Sequence, residues 1–169
     1  MRNLFLTLAS LTLCLSVFSF SSAEEPTPGE TKRLEPTYLR PGADPWVIEF
    51  NGKYYWSQSN NPARSICVWE SDSLDNPGER HTIWQAPRRG PYSRELCAPE
   101  IHHYNGKLYV LFAADDGQNK NHRTYVLESE SDDPFSKYEL HGPIYTGDSD
   151  DGESNNRWAI DSTIFHYKD

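Results

Sequence analysis

A repeated hairpin motif constrains the fold of this chain more than any other feature. Two mostly apolar or aromatic runs flank Asn51-Gly52. Asn-Gly is the strongest short-range signal for a type I′ hairpin turn, because both central residues of that turn need a positive φ. The motif recurs without a gap from Ala98 to Val110, around a second Asn-Gly pair, and a third copy opens at Asp161. The chain is therefore predicted to repeat one β-rich unit.

The remaining sequence between Tyr38 and His141 has the same rhythm of short strands and turns. Clusters of Asn, Asp, Pro and Gly separate the strands, and no stretch has a long helical period. The predicted strands are Trp46–Phe50, Tyr54–Ser57, Ser65–Trp69, His81–Trp84, Ile101–Tyr104, Leu108–Ala113, Thr124–Ser129 and Tyr138–Leu140. Four strands, a link and four more strands are typical of β-propeller blades. At this repeat length a closed ring of five blades needs on the order of 300 residues, so we expect two blades and the start of a third.

The first 37 residues differ in composition from the rest. Arg2 precedes a largely apolar run from Leu4 to Phe20, and Ser21-Ser22-Ala23 offers a cleavage site, which predicts a secretory signal peptide over residues 1–23. A transmembrane anchor is the alternative. Residues 24–37 are rich in Glu, Pro and Thr and are predicted to be a linker, and residues 38–169 form the partial propeller domain. The expected location is secreted or periplasmic.

The net charge excludes some classes of binding partner, and the cysteine content leaves two states of the thiols open. The net charge of −9 and the pI near 5.1 argue against nucleic acid and, once the signal is removed, against anionic membrane surfaces. An acidic, aromatic-rich chain is compatible with a polysaccharide or oligosaccharide ligand. After export, Cys67 and Cys97 could form a disulfide or remain two buried thiols, and their spacing does not decide between these alternatives.

Two aspartates occupy equivalent positions in the repeats. Asp44 opens the first copy and Asp161 the third, and the first strand of each propeller blade lines the central channel. Symmetry therefore predicts that both carboxylates lie at one pocket. Two carboxyl groups in different protonation states can hydrolyse a glycosidic bond. The simpler interpretation is that Asp44 caps a turn before Pro45 and that Asp161 only begins a strand.

Other residues are candidates for binding a sugar. Trp46 could stack on a sugar ring or pack between blades, and His102 lies on the equivalent strand. Arg157 and Trp158 precede Asp161 and could border the pocket. The acidic run at residues 148–153 lacks the ligand spacing of an EF-hand, so we interpret it as a solvated loop and expect no metal and no cofactor.

Three motifs in order resemble family 43 glycoside hydrolases, and the exo-acting α-L-arabinofuranosidases among them. They are Ala43-Asp44-Pro45-Trp46, Ala98-Pro99-Glu100-Ile101-His102 and Ile160-Asp161-Ser162-Thr163-Ile164-Phe165. The resemblance implies a five-bladed β-propeller that hydrolyses arabinose- or xylose-containing polysaccharides with inversion.

The resemblance also implies roles for individual residues. Asp44 matches the general base that activates water, and Asp161 matches the acid that tunes and orients the general acid. The general acid itself, a Glu, is expected in a later blade beyond Asp169, and Glu100 is not expected to replace it. Cys97 stands where the family often carries Trp.

Three other functions stay open at the level of sequence. The chain could be a non-catalytic carbohydrate-binding remnant or an inactive truncated product, because an unclosed propeller exposes a blade edge. Related five-bladed propellers act on fructose polymers, but the sequence around Asp44 does not match theirs.

Overall fold

A computed structural model describes residues 41–59, 64–147, 156–165 and 167. The predicted signal peptide, the predicted linker and the acidic loop at residues 148–153 lie outside the described residues. The described chain forms β1 (Ala43–Phe50), β2 (Lys53–Ser59), β3 (Ser65–Ser71), β4 (Glu79–Gln85), β5 (Arg94–Tyr104), β6 (Lys107–Asp115), a 3-10 helix (Asn119–Asn121), β7 (Arg123–Ser129) and β8 (Tyr138–His141). No helix within these ranges is long and apolar enough to cross a membrane.

The strands form two antiparallel sheets in sequential order. One sheet runs β1-β2-β3-β4 and the other β5-β6-β7-β8, which is the up-and-down order of propeller blades. Each predicted strand lies within an observed one. Both Asn-Gly turns have the positive φ angles of a type I′ turn, 51° and 74° at Asn51 and Gly52, and 48° and 73° at Asn105 and Gly106. The prediction of an all-β propeller is confirmed, with two blades in the described residues.

The core lies between the two sheets, because each sheet buries one apolar face against the other. Its aromatic centre is Phe112, whose ring centroid lies 5.4 Å from that of Trp84 and 5.8 Å from that of Tyr125. The buried members are Tyr55, Ile66, Val68, Ala86, Leu96, Ile101, Leu108, Val110, Phe112, Ala114, Tyr125, Leu127 and Tyr138. Burying each large side chain stabilises the fold by about 1.5–3 kcal/mol, so the first blade depends on the second.

The third copy of the motif follows β8 as extended chain without an assigned strand in residues 156–165. It is attached to the beginning of β7. The backbone N–H of Ala159 donates to the carbonyl of His122 over 3.4 Å, and the hydroxyls of Thr124 and Ser162 lie 2.8 Å apart. This attachment sets the position of Asp161 against the second blade.

An ion pair recurs at the same place in each blade. The Lys53 ammonium donates to Glu70 over 2.5 Å in the first blade, and Lys107 pairs with Glu128 in the second. Both lysines follow an Asn-Gly turn, so the sequence repeat reproduces the pair. Glu70 also accepts a hydrogen bond of 3.0 Å from the hydroxyl of Tyr55. The hydrogen bond from Lys53, and then that from Tyr55, hold the pKa of Glu70 below its ordinary value of 4.5.

We expect Glu70→Gln to weaken the dependence of the free energy of unfolding on pH in the acidic range. The lowered pKa means that the folded state binds fewer protons at Glu70 than the unfolded state. This stabilisation is present above the ordinary carboxyl pKa and is lost as the pH falls through the folded pKa. Urea unfolding between about pH 3 and pH 7 measures the effect. Glu128→Gln, the matched change in the other blade, should act in the same direction because Lys107 and then His141, 3.5 Å away, hold the pKa of Glu128 below its ordinary value. Identical slopes in the wild type and Glu70→Gln would contradict the prediction.

Candidate active site

The three repeat positions that begin each copy share an unusual backbone conformation. Asp44, Ala98 and Asp161 have φ angles of 55°, 46° and 54°. Positive φ is uncommon for residues other than glycine and is concentrated at functional sites. The strand register shifts around Asp44 in β1 and around Ala98 in β5, as at β-bulges, which turn a side chain away from its place in the ladder. The bulges therefore set the direction of the side chains at these positions.

These positions surround one pocket of about 150 Å³. Its lining residues are Asp44, Pro45, Trp46, Ala98, Glu100 and Asp161. Trp46 and Glu100 are themselves equivalent, each two residues after the bulge position. The pocket is thus lined by equivalent positions of successive repeats, and three of its lining residues, Asp44, Glu100 and Asp161, are acidic.

Ser59, at the end of β2, connects Asp44 to the second blade. Its hydroxyl donates to Oδ2 of Asp44 and accepts a hydrogen bond of 2.8 Å from the backbone N–H of Ala98. Two residues earlier on the same strand, the hydroxyl of Ser57 donates to the carbonyl of Pro99 over 2.5 Å. These bonds hold the two blades together beside Asp44 and Ala98, which line the pocket.

An aromatic pair supports the pocket wall. The indole N–H of Trp46 donates to the carbonyl of Ile101 over 2.7 Å, and its ring centroid lies 4.9 Å from that of His102. His102 Nε2 lies 3.3 Å from Oε2 of Glu100. Burial lowers the pKa of His102, against the opposing effect of the Glu100 carboxylate, so the ring is neutral at neutral pH. Trp46 therefore lines the pocket and also packs between blades, and His102 contacts both Trp46 and Glu100. Sugar binding by Trp46 and His102 stays a prediction.

A buried histidine and a buried aspartate lie in contact in the second blade. His122 Nδ1 lies 3.2 Å from Oδ2 of Asp115, which is fully buried. His122 Nε2 lies 3.1 Å from the carbonyl of Glu95, and the His122 carbonyl accepts from Ala159. One histidine thus contacts β6, the start of β5 and the segment that carries Asp161 into the pocket.

The family of the chain follows from comparison with known proteins. The model of Glycosyl hydrolases family 43 matches residues 35–169. The chain belongs to this family. Alpha-L-arabinofuranosidase B of Pyricularia oryzae is 25% identical, over 95% of this chain and 34% of that protein. The extracellular exo-α-(1→5)-L-arabinofuranosidase of Streptomyces chartreusis is 28% identical, over 77% of this chain and 39% of that protein.

A solved structure agrees with the family 43 assignment. The α-L-arabinofuranosidase from Lactobacillus brevis superposes with a TM-score of 0.65 and 26% sequence identity, over 76% of this chain and 43% of that one. The chain thus spans between about a third and two fifths of the length of the curated relatives it matches.

Neither cysteine of the propeller domain forms a disulfide. Cys67 and Cys97 are both free thiols, but only Cys67 is buried, so the alternative of two buried thiols holds for Cys67 alone. Cys97 is partly exposed, and burial, followed by the nearby carboxylates of Asp44 and Asp161, raises the pKa of its thiol to about 11. The thiol therefore stays protonated at neutral pH. A cysteine at this position also offers no aromatic face on which a sugar could stack.

Arg157 and Trp158 are exposed and do not line the pocket formed by the described residues. The carbonyl of Arg157 accepts from the Thr146 hydroxyl over 2.8 Å. Their assignment to sugar binding stays a prediction. Across the described parts of the chain, no group of three or more His, Cys, Asp and Glu side chains is arranged to hold a metal ion.

Two residues that shape the site escaped the sequence analysis. Glu100 was considered only as a general acid, although its equivalence to Trp46 could have placed it at the pocket. Ser59 was overlooked, although counting outward from the Asn51-Gly52 turn places it opposite Asp44. The observed partner of Ser59 in the ladder is Ala43, because the bulge at Asp44 shifts the register by one residue.

Proposed function

We propose that this chain belongs to a secreted, exo-acting α-L-arabinofuranosidase that hydrolyses arabinose- or xylose-containing plant polysaccharides with inversion. The proposal depends on one observation, which is that Asp44 and Asp161 reach the same pocket from equivalent positions of two repeats. The names of the two curated relatives support the choice of arabinose, and the extracellular relative supports export.

In the proposed mechanism Asp44 is the general base. An ionised carboxylate at the pocket takes a proton from a water molecule as that water attacks the anomeric carbon. Asp161 has a positioning role, because its negative charge favours the protonated form of the acid that must protonate the leaving oxygen. That general acid is assigned to a residue outside the described part of the chain. Glu100 faces the same pocket and is assigned to a sugar hydroxyl, which a carboxylate can bind as an acceptor.

The test is an assay of the full-length protein on arabinan, xylan, levan and 4-nitrophenyl α-L-arabinofuranoside. We expect release of single arabinose units, which proton NMR should first detect as the β-anomer because inversion exchanges the configuration at the anomeric carbon. Release of the α-anomer would contradict inversion, and oligosaccharides as the first products would contradict exo action. Binding of arabinan without hydrolysis would favour the non-catalytic carbohydrate-binding alternative.

A further inference from the structure

Two consecutive hydrogen bonds connect Ala98, Ser59 and Asp44, and the backbone N–H of Ala98 determines which group donates in each. The backbone N–H of Ala98 can only donate, and it donates to Oγ of Ser59 over 2.8 Å. The single proton of the Ser59 hydroxyl is then directed to Oδ2 of Asp44. The Ser59 hydroxyl is therefore a donor, rather than an acceptor, to the Asp44 carboxylate.

These two hydrogen bonds connect the bulge positions of the first two blades. Asp44 and Ala98 both have left-handed backbone conformations, and Ser59 joins them from a third strand. A bulge leaves its residue outside the regular ladder, so the side chain at position 44 needs another contact to hold its direction. Ser59 provides that contact and couples it to the backbone of the next blade.

The other acidic residues at the pocket make the direction of the Asp44 carboxylate important. Asp161 and Glu100 line the same pocket, and like charges that approach closely repel one another. A general base must also be held within hydrogen-bond reach of the water that it activates. The donor on Oδ2 of Asp44 therefore holds the carboxylate in one orientation.

We propose that Ser59 is a positioning residue for the reaction, which orients the Asp44 carboxylate. The inference rests on the proposed role of Asp44 as the general base. Ser59 itself does not line the pocket in the described residues, so it acts through Asp44 and not on the substrate.

Three variants of the full-length protein test the proposal with 4-nitrophenyl α-L-arabinofuranoside. Ser59→Ala removes the donor, Ser59→Thr keeps a hydroxyl, and Ser57→Ala removes a different bond between the same two blades. We expect Ser59→Ala to lower kcat by about 10-fold to 100-fold with KM within about twofold, because the orientation of the base matters in the transition state. Ser59→Thr should restore kcat, and Ser57→Ala should change kcat by less than about twofold.

An unchanged kcat in Ser59→Ala overturns the proposal. Equal losses of kcat in Ser59→Ala and Ser57→Ala would likewise assign Ser59 to blade packing alone. If the wild type hydrolyses no glycoside, the proposed function fails, and NMR then tests the contact itself. The ¹³C carboxyl signal of Asp44 at a single pH should move in Ser59→Ala and keep its wild-type position in Ser59→Thr. Equal positions in all three proteins would overturn the inference independently of activity.

Discussion

We expect Asp44→Asn to lower kcat on arabinan by about 10²-fold to 10⁴-fold, the range typical of a lost general acid or base. Asparagine has the shape of aspartate and can still accept a hydrogen bond from Ser59. Its amide cannot take a proton from water, so binding should change little and the loss should fall on kcat. Steady-state kinetics of the purified full-length protein measure both parameters. Asp72→Asn is the control, because it makes the same charge change at a side chain that is 91% exposed.

The leaving group separates the roles of the two aspartates. A 4-nitrophenolate leaves without protonation, so a substrate that carries it bypasses the general acid but still needs the base. Asp161→Asn, which removes the charge that tunes the acid, should therefore recover activity on the aryl glycoside, whereas Asp44→Asn should stay slow on both substrates. Recovery of Asp44→Asn on the aryl substrate would reassign Asp44 to the acid side of the reaction.

Asp115→Ala is expected to lower the free energy of unfolding by about 1–3 kcal/mol, the cost of leaving a buried polar group without its partner. Asp115 is fully buried, it accepts the backbone N–H of Gly117 over 2.8 Å, and its Oδ2 lies 3.2 Å from His122 Nδ1. His122 Nδ1 also faces the carbonyl of Asn119, and Nε2 faces the carbonyl of Glu95. Removal of the carboxylate leaves the N–H of Gly117 without its acceptor and opens a gap beside the His122 ring.

Urea unfolding of the wild type and three variants measures this contribution. Asp115→Asn keeps an acceptor for Gly117 and should lose less stability than Asp115→Ala. Asp116→Ala removes the neighbouring exposed carboxylate, which accepts from Asn121, and should cost below about 1 kcal/mol. Because His122 also carries the segment with Asp161, we expect Asp115→Ala to lower kcat before the blade unfolds. A loss under about 1 kcal/mol in Asp115→Ala would contradict Asp115 as a support of the site.

The strands, the turns and the blade order could be predicted from the sequence because they depend on local chemistry. An Asn-Gly pair needs no distant partner to form a type I′ turn, and alternation of side chains along a strand is a property of the strand itself. Because the motif repeats, the sequence also predicted which residues occupy equivalent positions at the site. Asp44 and Asp161 were matched as repeat positions before any contact between their segments was known.

Contacts between distant strands could be decided only by the tertiary structure. Local sequence does not show that a bulge displaces Asp44 from its ladder, or that Ser59 then meets Ala98 of another blade. For the same reason the sequence did not show that Glu100 lines the pocket or that Arg157 does not. Sequence determined which residues repeat, because turns and strands are short-range. The three-dimensional packing decided which of them meet, because close approach between blades depends on bulges and buried bonds formed across many residues of chain.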